Sequence, residues 1–248
     1  MTVGLVTLCL ASHVREQAEI HQIGIFFATI RTVDRQFVAT TLAVLALAGA
    51  ARCGGIDNLP TQPTAGSPVI VAFGDSLTAG PGLDPSDTYP VLLQRRLRQS
   101  GYNYGVVNAG VTGDTSTEAV RRLDQALVPD AKIMIVELGI NDGLRGMPTS
   151  TLEQNLATVI QRVQARGIAV LLCGMEAPPL KGFAYSIEFH RVFTRLAERY
   201  KLTLVPFFLI GILGDPDLTL ADRAHPNAEG HKLIADALWP YLEPMLAK

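Results

Sequence analysis

Five short apolar runs, at residues 69–73, 104–107, 132–138, 169–173 and 203–206, alternate with amphipathic stretches along most of the chain. They are rich in Val, Ile and Leu and mostly lack strict polar alternation, as strands buried on both faces of a parallel sheet do. Between them Leu152, Leu156, Val159, Ile160 and Val163 recur at helical spacing, as do Phe189, Val192, Phe193 and Leu196. Thr115 with Glu118, and Ser150 with Glu153, fit capping boxes that would start two of these helices. Strand and helix in regular alternation predict an α/β fold: a three-layer α/β/α, flavodoxin-like, doubly wound sheet of five parallel strands. Ligands of such sheets sit beyond the carboxyl ends of the strands. That rule selects residues 74–82, 108–115, 139–146, 174–181 and 207–225.

The first part of the chain reads differently. Residues 37–51 carry no charge and end in Ala48, Gly49, Ala50 and Ala51. A bilayer span needs about 20 apolar residues, whereas an export signal needs roughly 7 to 15 and ends in small ones. The expected division is therefore a leader with an export signal over 1–52, a Pro- and Gly-containing linker over 53–68, and one globular domain over 69–248. Export places the mature chain in the periplasm or outside the cell. Cys53 after small residues resembles a lipoprotein processing site and offers a membrane tether, although Arg52 departs from the usual pattern. With 21 Lys and Arg against 23 Asp and Glu, the net charge of −2 provides no field for nucleic acid. The three Cys have no CxxC spacing, which argues against structural zinc and a dithiol redox site. A monomer or weak dimer is expected.

Chemistry gathers at the strand ends. Gly74, Asp75, Ser76, Leu77 and Thr78 follow the first run and put Ser76 at a strand-to-helix turn, as a nucleophile or as a helix cap. Asp222 stands three residues before His225, close enough to fix the imidazole tautomer and leave the other nitrogen to take a serine proton. His231 and His190 fall inside helix patterns and read as ordinary surface or core histidines. Asn108, Ala109 and Gly110 end the second run, and Gly139, Ile140, Asn141 and Asp142 the third. Gly110 and Asn141 are either turn residues or donors to a developing oxyanion.

These blocks, GDSL around Ser76, NAG around Gly110, GIND around Asn141 and DRAHP around Asp222 and His225, resemble the SGNH (GDSL-type) hydrolase superfamily. Within it they look most like the bacterial arylesterase, thioesterase I and lysophospholipase L1 branch, over residues 69–246. The resemblance implies Ser76 as nucleophile, His225 as base and Asp222 as its orienting acid. It also implies an oxyanion hole of the Ser76 and Gly110 N–H groups with Asn141, and no metal or cofactor. Ile140 stands where these relatives often carry Gly. The implied reaction is hydrolysis of small-molecule aryl or acyl esters, with acyl thioesters or lysophospholipids as further substrates, through an acyl-enzyme on Ser76. Leu144, Met147, Pro178 and Phe207 belong to unusually apolar loops that either line an acyl groove or close the core. The 207–213 run is the expected wall or lid. A carbohydrate O-acetylesterase on the same scaffold is the alternative. An α/β-hydrolase is disfavoured, since GDSLT around Ser76 is not a GxSxG elbow. A flavodoxin-like phosphate-binding module would leave the Asp222 and His225 pair unexplained.

Overall fold

The computed structural model describes residues 66–247, all within one compact unit, Gly55–Lys248. The expected leader, Cys53 and nearly all of the linker lie outside the described residues. β1 (Val69–Gly74) leads into the short helix α1 (Ser76–Ala79), a 3-10 turn at Pro85–Asp87 and α2 (Tyr89–Gln99). β2 (Gly105–Gly110) is followed by α3 (Ser116–Ala126), and β3 (Ala131–Glu137) by α4 (Ile140–Arg145) and α5 (Thr149–Gln164). β4 (Ala169–Cys173) precedes a second turn at Pro179–Lys181 and α6 (Phe183–Tyr200); β5 (Thr203–Val205) and α7 (Ala228–Leu242) complete the domain with a last turn at Glu243–Met245.

The strands form one parallel sheet in the order β2-β1-β3-β4-β5, the doubly wound order that the alternation predicts. Contacts run from α3 to α5 and from α5 to α6 in one helical layer, and from α2 to α7 in the other. The apolar stripe of α5 (Leu152, Leu156, Val159, Ile160, Val163) and that of α6 (Phe189, Val192, Phe193, Leu196) are buried as their spacing requires. β1, β3 and β4 are buried on both faces almost throughout.

Three expectations are corrected. β2 is an edge strand, and Val107, Asn108 and the residues around them are open to solvent rather than sandwiched. Its edge is covered locally by Gln94, whose amide donates to the Tyr104 carbonyl at 2.8 Å and accepts from the Val106 N–H at 2.8 Å, a side-chain stand-in for a further strand. β5 keeps only three residues and is half-buried. Ser150 does not cap α5: the helix starts at Thr149 with Pro148 at the cap position, so Ser150 already lies inside it. Pro148 supplies a preset φ and needs no N–H partner there. The Thr115 cap is as expected, the Glu118 carboxylate reaching back to the Thr115 N–H at 3.0 Å.

Candidate active site

Because the sheet is parallel, the carboxyl ends of β1, β2 and β3 come to one edge, and the loops selected by that rule meet there. The β1 turn is tight. A side chain at Gly74 would overlap Thr78 Oγ1 and the Glu137 carboxyl, so only Gly allows the strand to run directly into α1. Asp75 caps that helix, its Oδ1 accepting from the Leu77 N–H at 3.0 Å. Ser76 follows, nine-tenths buried, with its backbone N–H meeting no acceptor among the described residues.

His225 arrives from the other end of the chain. Its Nε2 lies 3.0 Å from Ser76 Oγ and its Nδ1 lies 2.6 Å from Asp222 Oδ2. Asp222 Oδ1 also accepts the backbone N–H groups of Ala224 and His225, each at 3.0 Å. These bonds, led by the His225 N–H, hold the Asp222 carboxyl well below the usual carboxylate range. An ionised Asp222 requires the proton on Nδ1, which leaves the Nε2 lone pair facing the serine hydroxyl. Arg223 adopts a left-handed φ of 59° to make the turn between the two residues. The segment is pinned beneath by Leu220 N–H to the His225 carbonyl at 2.8 Å and by Asn227, which caps α7.

Asn141 reaches the same place from the start of α4. Its Nδ2 donates to Asp75 Oδ2 at 3.1 Å and to the Asp114 carbonyl at 2.9 Å. Ser116 and Asp142 tie the neighbouring loops together, Asp142 accepting the Ser116 N–H at 2.8 Å and its hydroxyl at 2.6 Å. Arg122 staples the strand ends from below, donating to the Gly74 and Ala109 carbonyls at 2.7 Å each and to Asp114, with its guanidinium over the Phe73 ring.

The structure gives Gly110 a different job from the expected one. Its N–H donates to Asn108 Oδ1 at 2.9 Å, and a side chain there would overlap the backbone of Thr78 and Ala79 in α1. Gly110 is a close-packing residue. Open amides of this loop belong to Thr112 and Gly113, whose N–H groups have no acceptor among the described residues; Gly113, with a φ of 85°, stands next to the Asp114 carbonyl that Asn141 grips. Both glycines stand in NAGVTGDTS, and nothing local separates them.

His231 is buried, accepts the Tyr89 N–H at its Nδ1 at 3.1 Å and stacks on the Tyr89 ring; burial pushes it down to about 4. His190 pairs with Glu176 at 2.5 Å. Neither is near Ser76 by any of these contacts. Leu144 is half exposed, and Met147 and Pro178 are partly buried beside it, where α4 packs on the loop after β4 and Tyr185 donates to the Met147 carbonyl at 2.8 Å. Phe207 packs against the core at the end of β5. Of the run expected as wall or lid, Phe208, Leu209 and Ile212 are buried while Ile210 and Leu213 face solvent. Three of its side chains are part of the core, which weighs against the expected lid.

The model of the GDSL-like Lipase/Acylhydrolase family matches residues 72–233. Esterase TesA of Pseudomonas aeruginosa is 42% identical over 189 residues, 76% of this chain and 94% of the relative. Thioesterase 1/protease 1/lysophospholipase L1 of Escherichia coli K12 is 33% identical over 189 residues, 76% of this chain and 89% of the relative. The crystal structure of the psychrotrophic esterase EstA from Pseudoalteromonas sp., inhibited by monoethylphosphonate, superposes with a TM-score of 0.68 at 33% identity, covering 71% of this chain and 97% of that one. Matching sequence blocks, fold and full-length relatives together place the chain in the GDSL-like lipase/acylhydrolase family.

Proposed function

We propose that this carboxylic ester hydrolase works through an acyl-enzyme on Ser76. The observation that carries the reading is the unbroken Asp222, His225 and Ser76 relay, with contacts of 2.6 and 3.0 Å. His225 takes the Ser76 proton as Oγ attacks the ester carbonyl, then returns it to the leaving alcohol or thiol; water, activated in the same way, releases the acid. Asp222 stays ionised and steadies the imidazolium. The Ser76 and Gly113 N–H groups receive the oxyanion, joined by the Asn141 N–H that turns to it from the Asp114 carbonyl while the other stays on Asp75. Gly113 takes the place expected of Gly110, whose N–H is already spent.

The substrates are acyl esters and thioesters or lysophospholipids of medium chain length, with the apolar arm lying along Leu144, Met147 and Pro178 and the exposed Ile210 and Leu213 extending the wall. The names of relatives at 33 to 42% identity support this reading over carbohydrate O-acetyl hydrolysis. The uncharged 37–51 stretch supports action after export; oligomeric state and a tether at Cys53 stay with the reading as a monomer or weak dimer and a lipid anchor.

The test is p-nitrophenyl ester hydrolysis across chain lengths by the wild type and Ser76→Ala. A Ser76-dependent rate that peaks at medium chains is expected. An acetyl-only optimum would favour the carbohydrate esterase, and turnover that survives Ser76→Ala would remove the relay from the chemistry.

A further inference from the structure

Directly beneath Ser76 the side chains of Asp75, Thr78, Tyr89 and Glu137 are fully buried together. Glu137 Oε2 accepts the Thr78 hydroxyl at 2.7 Å and the Asp75 N–H at 3.2 Å. Thr78 and Tyr89 hydroxyls lie 2.9 Å apart. Thr78 gives its single proton to Glu137, so Tyr89 donates to Thr78. Two carboxyls thus share one dry site with no cation among their hydrogen-bond partners, and two adjacent anions there would repel at low dielectric. One proton has to remain. Both Asp75 oxygens face N–H donors, Oδ1 that of Leu77 and Oδ2 that of Asn141, whereas Glu137 Oε1 is buried with no partner. A proton on Asp75 would meet a donor; one on Glu137 Oε1 displaces nothing. Glu137 therefore holds the proton and Asp75 the charge.

We propose that ionised Asp75 is a positioning residue for the Asn141 amide, and that protonation of Asp75 switches the oxyanion donor out of place. The proposal rests on the ester-hydrolase reading of Ser76 and Asn141. A carboxylate presents a strong acceptor on each oxygen, so it caps Leu77 with one and holds one N–H of Asn141 with the other, leaving the second to turn from the Asp114 carbonyl to the oxyanion. Protonated, its hydroxyl oxygen is a weaker acceptor and its O–H crowds the donor there, which loosens one of the two bonds. Burial pushes Asp75 up to about 7, opposed by the Leu77 N–H of α1, the Asn141 amide of α4 and His225 from the loop before α7, and reinforced by Asp114 of the β2–α3 loop. Glu137 of β3, raised by its own burial and then by Asp75, and the buried Tyr89 of α2 complete the groups facing it. The sign follows. Asp75 is ionised above that value, and catalysis is lost as pH falls through it, in addition to the loss that any imidazole base shows once it binds a proton.

The experiment compares wild type, Asp75→Asn, Asn141→Ala, the double variant and Ser76→Ala by kcat, KM and pH profile. Asp75→Asn keeps side-chain volume and one acceptor but not two; its kcat is expected to fall about 10- to 100-fold with KM within about twofold. In the Asn141→Ala background the same change should have less than about a threefold effect, since the group it positions is gone. The acid limb should steepen to two protons in wild type and show one in Asp75→Asn. Should Asp75→Asn fail to fold, Asn141→Ala alone decides: it too should show a one-proton limb. Equal losses from Asp75→Asn in both backgrounds, or a two-proton limb retained in Asn141→Ala, would overturn the proposal. Turnover in Ser76→Ala would instead defeat the underlying ester-hydrolase reading, a separate outcome.

Discussion

Asn141 carries the residue-scale chemistry that is easiest to isolate. Its amide is partly exposed and sits at the start of a short helix, so truncation removes the donor directly. Asn141→Ala is expected to lower kcat by about 10² to 10³ with KM little changed, read by steady-state kinetics on a p-nitrophenyl ester; an unchanged kcat would take Asn141 out of the oxyanion hole. Ser76, Asp222, His225 and Asn141, the residues of the proposed mechanism, were all legible as residue types beyond the strands, because acyl transfer would need those groups and the sheet has only a few places to put them. Gly110 against Gly113 was not legible. Both are glycines in one loop, and which N–H is free depends on where the Asn108 side chain folds and on how closely α1 approaches, neither of which is local in sequence.

At the scale of elements, α7 and α2 are joined through His231, which accepts the first N–H of α2 and lies flat on Tyr89. That imidazole stands in for a missing helix cap, since Thr88 makes no side-chain cap bond. His231→Ala is expected to keep the kcat of the folded protein and to cost about 2 to 4 kcal/mol of stability through an orphaned N–H and a cavity, measured by urea unfolding. Burial depresses its folded pKa below the unfolded value near 6.5, so the stability it contributes is complete above that value and is lost as pH falls toward about 4. A helix pattern identified His231 as non-catalytic without revealing this joint. The helical stripes of α5 and α6 were readable because periodicity reports burial directly; the start of α5 was not, because Ser150 and Glu153 mimic a cap, whereas the cap position falls two residues sooner, at Pro148.

For the molecule as a whole, burying carboxyls under the active site sets stability against activity. Glu137 holds its proton in the folded protein well above the usual range because of burial and the neighbouring Asp75, whereas the unfolded chain releases it near 4.5. Its favourable contribution is therefore present below the unfolded value and fades as pH rises toward the folded one. Glu137→Gln mimics the protonated form, and its melting temperature relative to wild type is expected to rise steadily between about pH 5 and pH 8; a difference independent of pH would show that Glu137 is ionised in the fold. Activity moves the other way, since His225 must be neutral and Asp75 ionised. The sequence by itself determined the layer architecture, the strand order class and the candidate site residues, because hydrophobic period and the strand-end rule act through local pattern. Only the tertiary structure decided which amide is free, which histidine is buried and which carboxyl keeps its proton. Those depend on desolvation and on hydrogen-bond partners brought together from residues 62 to 149 positions apart, and distance along the chain carries no signal of them.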